Sequence, residues 1–115
     1  MSEAIIYYNP KCGTCQKTLA LLEAKKLKVK RIEYLKTPPT VDELDLILRK
    51  LKLPPEGLVR QKETLYAEKV SGRTLSRDQW LELFHQHPIL IERPVVVIGD
   101  KAVIARPPEK VKEIL

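Results

Sequence analysis

Cysteine is scarce here: the 115 residues include only Cys12 and Cys15. A disulfide framework of the kind that staples small secreted domains is therefore excluded beyond one bridge. A chain of this length buries roughly two thirds of the surface that its unfolded form exposes, so it needs no staple. Histidine is as rare, with His85 and His87 alone. Zinc asks for about four ligands, and an H-x-H pair about seventy residues from the cysteines does not complete such a set. No apolar run approaches the roughly 18 residues that a membrane span requires. The first residues lack the basic region and long apolar stretch of a signal peptide, so a cytoplasmic protein with reduced cysteines is expected. Internal repeats, low-complexity tracts and linkers are also missing, and one domain, 1–115, accounts for the length.

Positive charge is what the chain has in excess, with a formal net charge of +6 and a pI near 9.4. Such a balance admits nucleic acid, anionic lipid or a small anion as partner. Lys25, Lys26, Lys28, Lys30 and Arg31 cluster, but no aromatic residues stand among them as base-stacking platforms. A solvated basic face is the expectation, with neither nucleic acid nor membrane as partner.

Glu3 to Tyr8 is a short apolar run closed by Asn9-Pro10 and reads as a strand. From Thr14 onward, Cys15, Leu19 and Leu22 recur on one helical face, and the helix should end near Lys25 and Lys26. Leu27 to Leu35 is rich in β-formers and predicts a second strand, parallel to the first through a right-handed crossover. After "TPP", Thr40 and Glu43 form a capping box ahead of the stripe Leu44, Ile47, Leu48, Leu51. "LVRQKETLYAEKV" predicts short helical pieces. Ser76 and Gln79 form a second capping box, opening a helix through Trp80, Leu83 and Phe84. Val95 to Ile98 and Lys101 to Ala105 then predict a hairpin around Gly99-Asp100. Pro107 and Pro108 suit the start of a closing helix with Val111, Ile114 and Leu115 inward. The order βαβ, helical insertion at about 38–90, ββα predicts an α/β, thioredoxin-like fold: a mixed four-stranded sheet with flanking helices.

In that frame Cys12 lies in the loop between the first strand and a helix N-terminus. The unpaired helix N–H groups there stabilise a thiolate and can bring a cysteine pKa from about 8.5 into the range 3.5–7.5. Cys15 sits one turn on, within disulfide reach and at the start of the buried stripe. Cys12 is the expected attacking thiol. Cys15 is either a resolving thiol or a small apolar core residue.

"YYNPKCGTC", "LVR" ending at Arg60, "HPILIERPVVV" with Arg93-Pro94, and "ARPPE" with Arg106-Pro107 follow one another in the order and spacing of a known family. Across nearly its whole length the chain resembles the arsenate reductases of the glutaredoxin-coupled type. The resemblance implies that Cys12 attacks arsenate and that Arg60, Arg93 and Arg106 hold the oxyanion. Guanidinium forks grip tetrahedral anions bidentately, and their charge would also keep Cys12 ionised. It further implies glutathione as the second thiol, no bound cofactor, glutaredoxin as the recycling partner, and a cis proline at Pro94 facing the cysteine. Two positions depart from the family pattern. Tyr8 stands where its well-known members carry histidine, and Cys15 where they tend to carry serine, which opens thioredoxin as an alternative reductant. The same fold, Cys-x-x-Cys pair and "RP" block also resemble Spx-type redox regulators, whose partner is RNA polymerase, and general glutaredoxin-like thiol exchangers. Arg106 favours the reductases.

Overall fold

The computed structural model describes residues 3–115. Its four strands are β1 (Glu3–Tyr8), β2 (Lys28–Glu33), β3 (Val95–Ile98) and β4 (Lys101–Ile104), in the sheet order β2-β1-β3-β4. The helices are α1 (Gly13–Ala24), α2 (Val41–Leu51), α3 (Thr64–Lys69) and α4 (Arg77–Gln86), and a 3-10 helix, Pro108–Ile114, closes the chain. β1 pairs with β2 in parallel, as a crossover through α1 requires, and with β3 antiparallel. The sheet is thioredoxin-like, as the element order predicts.

Alternation along β1 divides the interior into two layers. Ala4 and Ile6 face α1 and the closing helix, where they pack with Leu19, Leu22, Val96, Ala105 and Val111. Tyr7 turns to the other face, with Tyr34, Leu44, Leu48, Trp80, Phe84, Val95 and Val97. Each fully buried aliphatic or aromatic side chain contributes roughly 1.5–3 kcal/mol. Both capping boxes form: the Thr40 hydroxyl accepts from the Glu43 N–H at 3.1 Å and the Ser76 hydroxyl from the Gln79 N–H at 3.2 Å. Such caps are worth about 1 kcal/mol each. β2 is an edge strand, and exposed Lys28, Lys30 and Arg31 charge that edge, which discourages pairing with another chain.

Four expectations need correction. β2 stops at Glu33, because the chain turns there and carries Tyr34 into the core while Leu35 stays exposed. Leu58–Arg60 is not helical: Val59 bridges Ile91 antiparallel, and the Arg60 and Glu92 N–H groups donate to the Leu90 and Leu58 carbonyls at 2.7 Å each. Helical propensity here yields to pairing with a distant segment. In α4, Leu81 is buried and Leu83 only half-buried. In the closing segment the tighter 3-10 winding moves Leu115 off the inner face, leaving it 45% exposed.

Candidate active site

Strand directions explain why residues far apart in sequence meet. β1 and β2 run parallel, and β3 runs opposite to β1 and β4 opposite to β3. The C-terminal ends of β1, β2 and β4 and the N-terminal end of β3 therefore share one edge of the sheet. From that edge emerge Cys12 after β1, Tyr34 after β2, Arg93 before β3 and Arg106 after β4. Arg60 joins them through its bridge segment beside Leu90–Glu92.

The cysteine loop is held by its own polar groups. Asn9 Oδ1 accepts from the Lys11 N–H at 3.0 Å, the Asn9 carbonyl accepts from the Cys12 N–H at 3.0 Å, and Gln16 Nε2 donates back to the Pro10 carbonyl at 2.7 Å. Cys12 thus becomes the N-cap of α1, with extended backbone (φ −98°, ψ 121°) and the backbone N–H of Cys15 toward its sulfur. Burial works against its ionisation, but the backbone N–H of Cys15, the Arg93 guanidinium and the Cys15 thiol all stabilise the thiolate. They bring its pKa from 9.0 to about 7. Cys15 behaves in the opposite way. It is completely buried, and burial together with the neighbouring Cys12 pushes its thiol up to about 12, against the backbone of Asn9. One thiol of the pair is poised to react and the other is kept protonated.

The reactive form is the thiolate, so labelling of Cys12 by iodoacetamide should rise with pH and reach half its plateau near 7. Cys15 should stay unlabelled in the folded protein at pH 8. A Cys12 midpoint near the unperturbed value of about 8.5 would contradict this arrangement.

The three arginines stand differently toward the sulfur. Arg93 lies against it and against the Tyr34 hydroxyl. Arg106, exposed, donates from Nη1 to the Arg93 carbonyl at 3.0 Å and so rests on the backbone of its neighbour. Arg60 is mostly buried and paired with two carboxylates, Glu63 at 3.2 Å and Glu92 at 3.5 Å. Arg60 and Arg106 line one open cleft with Glu92. The Arg93–Pro94 and Arg106–Pro107 bonds are both cis. Sequence reasoning missed Asn9, Gln16, Tyr34, Glu63 and Glu92. Of these, Tyr34 lies inside the second predicted strand, where an aromatic residue reads as core, and only the parallel register brings it beside the cysteine loop.

His85 takes no part in this cluster: its Nδ1–H donates to the Pro39 carbonyl at 2.8 Å and ties α4 to the turn after β2. Among the described residues no three of His, Cys, Asp and Glu come together as metal ligands would. No helix among the described residues is long and apolar enough to cross a membrane.

A cysteine at the start of a helix thus has one guanidinium, that of Arg93, against its sulfur, while Arg60 and Arg106 line a neighbouring cleft. The family model described as ArsC family matches residues 7–114, which span every one of these elements. The chain belongs to the ArsC family. Among its curated ArsC relatives, the arsenate reductase of Haemophilus influenzae is 42% identical over 113 residues, covering 96% of this chain and 97% of that one. An uncharacterised Escherichia coli protein, YfgD, is 38% identical over 112 residues, covering 96% and 94%. Among solved structures, the arsenate reductase of Vibrio cholerae superposes with a TM-score of 0.94 at 43% identity, covering 98% of each chain. The mixed sheet with its helical middle section is thus the ArsC architecture over its full length.

Proposed function

We propose that this ArsC protein is an arsenate reductase that works through a Cys12 thiolate adduct. The observation that carries the reading is the Arg93 guanidinium set against a Cys12 sulfur whose pKa is about 7. One cation thereby serves both nucleophile and substrate. Arsenate is a tetrahedral oxyanion suited to guanidinium forks, and Arg93, Arg60 and Arg106 supply three at this sheet edge.

The Cys12 thiolate attacks arsenic and forms a sulfur–arsenic bond, while one hydroxyl takes up a proton and leaves as water. A second thiolate, that of glutathione, then attacks the Cys12 sulfur. The sulfur–arsenic bond breaks with its electron pair staying on arsenic, which passes from As(V) to As(III). Arsenite departs, and Cys12 is left in a mixed disulfide with glutathione. Glutaredoxin returns it to the thiol at the expense of a further glutathione. Two thiols are oxidised to one disulfide and one arsenic is reduced by two electrons. Cys15, buried and protonated, competes poorly with an incoming thiolate. A reducing compartment such as the cytoplasm supplies these thiols.

Arsenate reduction assayed in parallel with glutathione plus glutaredoxin and with thioredoxin tests substrate and donor together. The expected result is turnover with the first pair and little with the second, and a glutathione adduct on Cys12, with Cys15 untouched, in the trapped intermediate. Turnover with thioredoxin, accompanied by a loss of two hydrogens in the intact chain, would instead make Cys15 the resolving thiol. No turnover with either donor would remove arsenate as the substrate.

A further inference from the structure

Two polar atoms at the sheet edge are buried without a hydrogen-bond partner among the described residues: the Tyr34 hydroxyl and Arg93 Nε. They belong to neighbouring side chains. Tyr34 is wholly buried immediately after β2, and its hydroxyl faces the Arg93 guanidinium. The groups are complementary, since Nε–H can only donate and a phenol oxygen can accept. Water does not reach either atom, so neither is satisfied by solvent. A buried polar group left unpaired costs about 1–3 kcal/mol, and the Tyr34 hydroxyl lies against the Arg93 guanidinium without a well-formed hydrogen bond to it.

An arrangement of this kind gains stability from any movement that closes the bond. Arg93 is the arginine set against Cys12, and it is the one an incoming oxyanion would draw away from the sulfur and onto its own oxygens. Its two terminal nitrogens suffice for a bidentate grip, which leaves Nε free for an acceptor behind. The Tyr34 hydroxyl is covered by protein and is not placed to touch the anion itself. The geometry points to Tyr34 as a positioning residue, whose hydroxyl accepts the Arg93 Nε–H once an oxyanion occupies the site and so locks the guanidinium fork on the anion. This rests on the oxyanion reading above. Burial also holds the Tyr34 phenol above its usual pKa, so the hydroxyl is neutral and available throughout the working range.

Tyr34→Phe removes the hydroxyl and keeps the ring, so packing in the core is preserved. Because the Tyr34 hydroxyl makes no well-formed hydrogen bond in the free protein, Tm without arsenate should not fall. The Michaelis constant for arsenate should rise about tenfold, with kcat nearly unchanged, as for an interaction formed on binding and kept in the transition state. In an Arg93→Lys background, which lacks an Nε–H, Tyr34→Phe should change KM no further. An active wild type whose KM is unaffected by Tyr34→Phe overturns the assignment alone. So does a fall in Tm without arsenate at constant KM, or a full additional effect in the Arg93→Lys background. A wild type that does not turn over arsenate overturns the oxyanion reading and this assignment with it.

Discussion

Cys12→Ser is expected to abolish arsenate-dependent oxidation of glutathione, a loss of at least ~10⁴-fold, in a protein that still folds. Two separate deficits combine. A serine hydroxyl is not ionised near neutral pH, so the attacking anion disappears. Oxygen also cannot replace sulfur as the source of electrons, because As(V) becomes As(III) only as two sulfurs join in a disulfide. Stability should move the other way. Serine is among the preferred N-cap residues, and Cys12 already has the extended backbone that an N-cap residue adopts. The variant should therefore match or exceed the wild type in Tm by the equivalent of up to ~1 kcal/mol. Retained activity in this variant would sink the thiolate mechanism, and the thermal measurement excludes unfolding as the cause of a loss.

Arg93→Ala should lower kcat/KM for arsenate by about 10²–10³-fold, equivalent to ~3–4 kcal/mol. The substitution removes a charged donor to the oxyanion and, at the same time, a partner that keeps Cys12 ionised. The sign of the pH effect follows from the second loss. Without the cation the Cys12 pKa moves up from about 7, so thiol labelling should need higher pH and the activity deficit should be largest in acid. Arg106 should hold its place, because it bonds the main-chain carbonyl of residue 93 and not the side chain. A variant with the wild-type labelling midpoint and arsenate KM would show that Arg93 serves neither role.

The parts of this architecture legible in the sequence are those with local causes. Thr40–Glu43 and Ser76–Gln79 announce helix starts because both halves of each box lie within one turn, and Gly99-Asp100 announces a hairpin because the turn itself demands a positive φ, 61° at Gly99. The bridge at Val59 escapes a local reading because it depends on Ile91, about thirty residues away, and no local pattern encodes that partner. The site divides in the same way. Cys12 could be found from a strand, a turn and a helix start, whereas Arg60, Arg93 and Arg106 became convincing only through the family resemblance. Tyr34 passed unnoticed, since an aromatic residue at the end of a strand looks like ordinary core. Only the parallel register, Tyr8 beside Glu33, brings it next to the cysteine loop.

In the proposed cycle the unequal pair at the start of α1 also governs how the enzyme resets. Once Cys12 is tied up in a mixed disulfide, it is no longer the attacker but the leaving group, and thiols of low pKa depart faster. The Cys15 N–H and Arg93 that sharpen the thiolate for attack are the same groups that receive it on departure. A helix end built to start the reaction is equally an exit for the sulfur that finishes it.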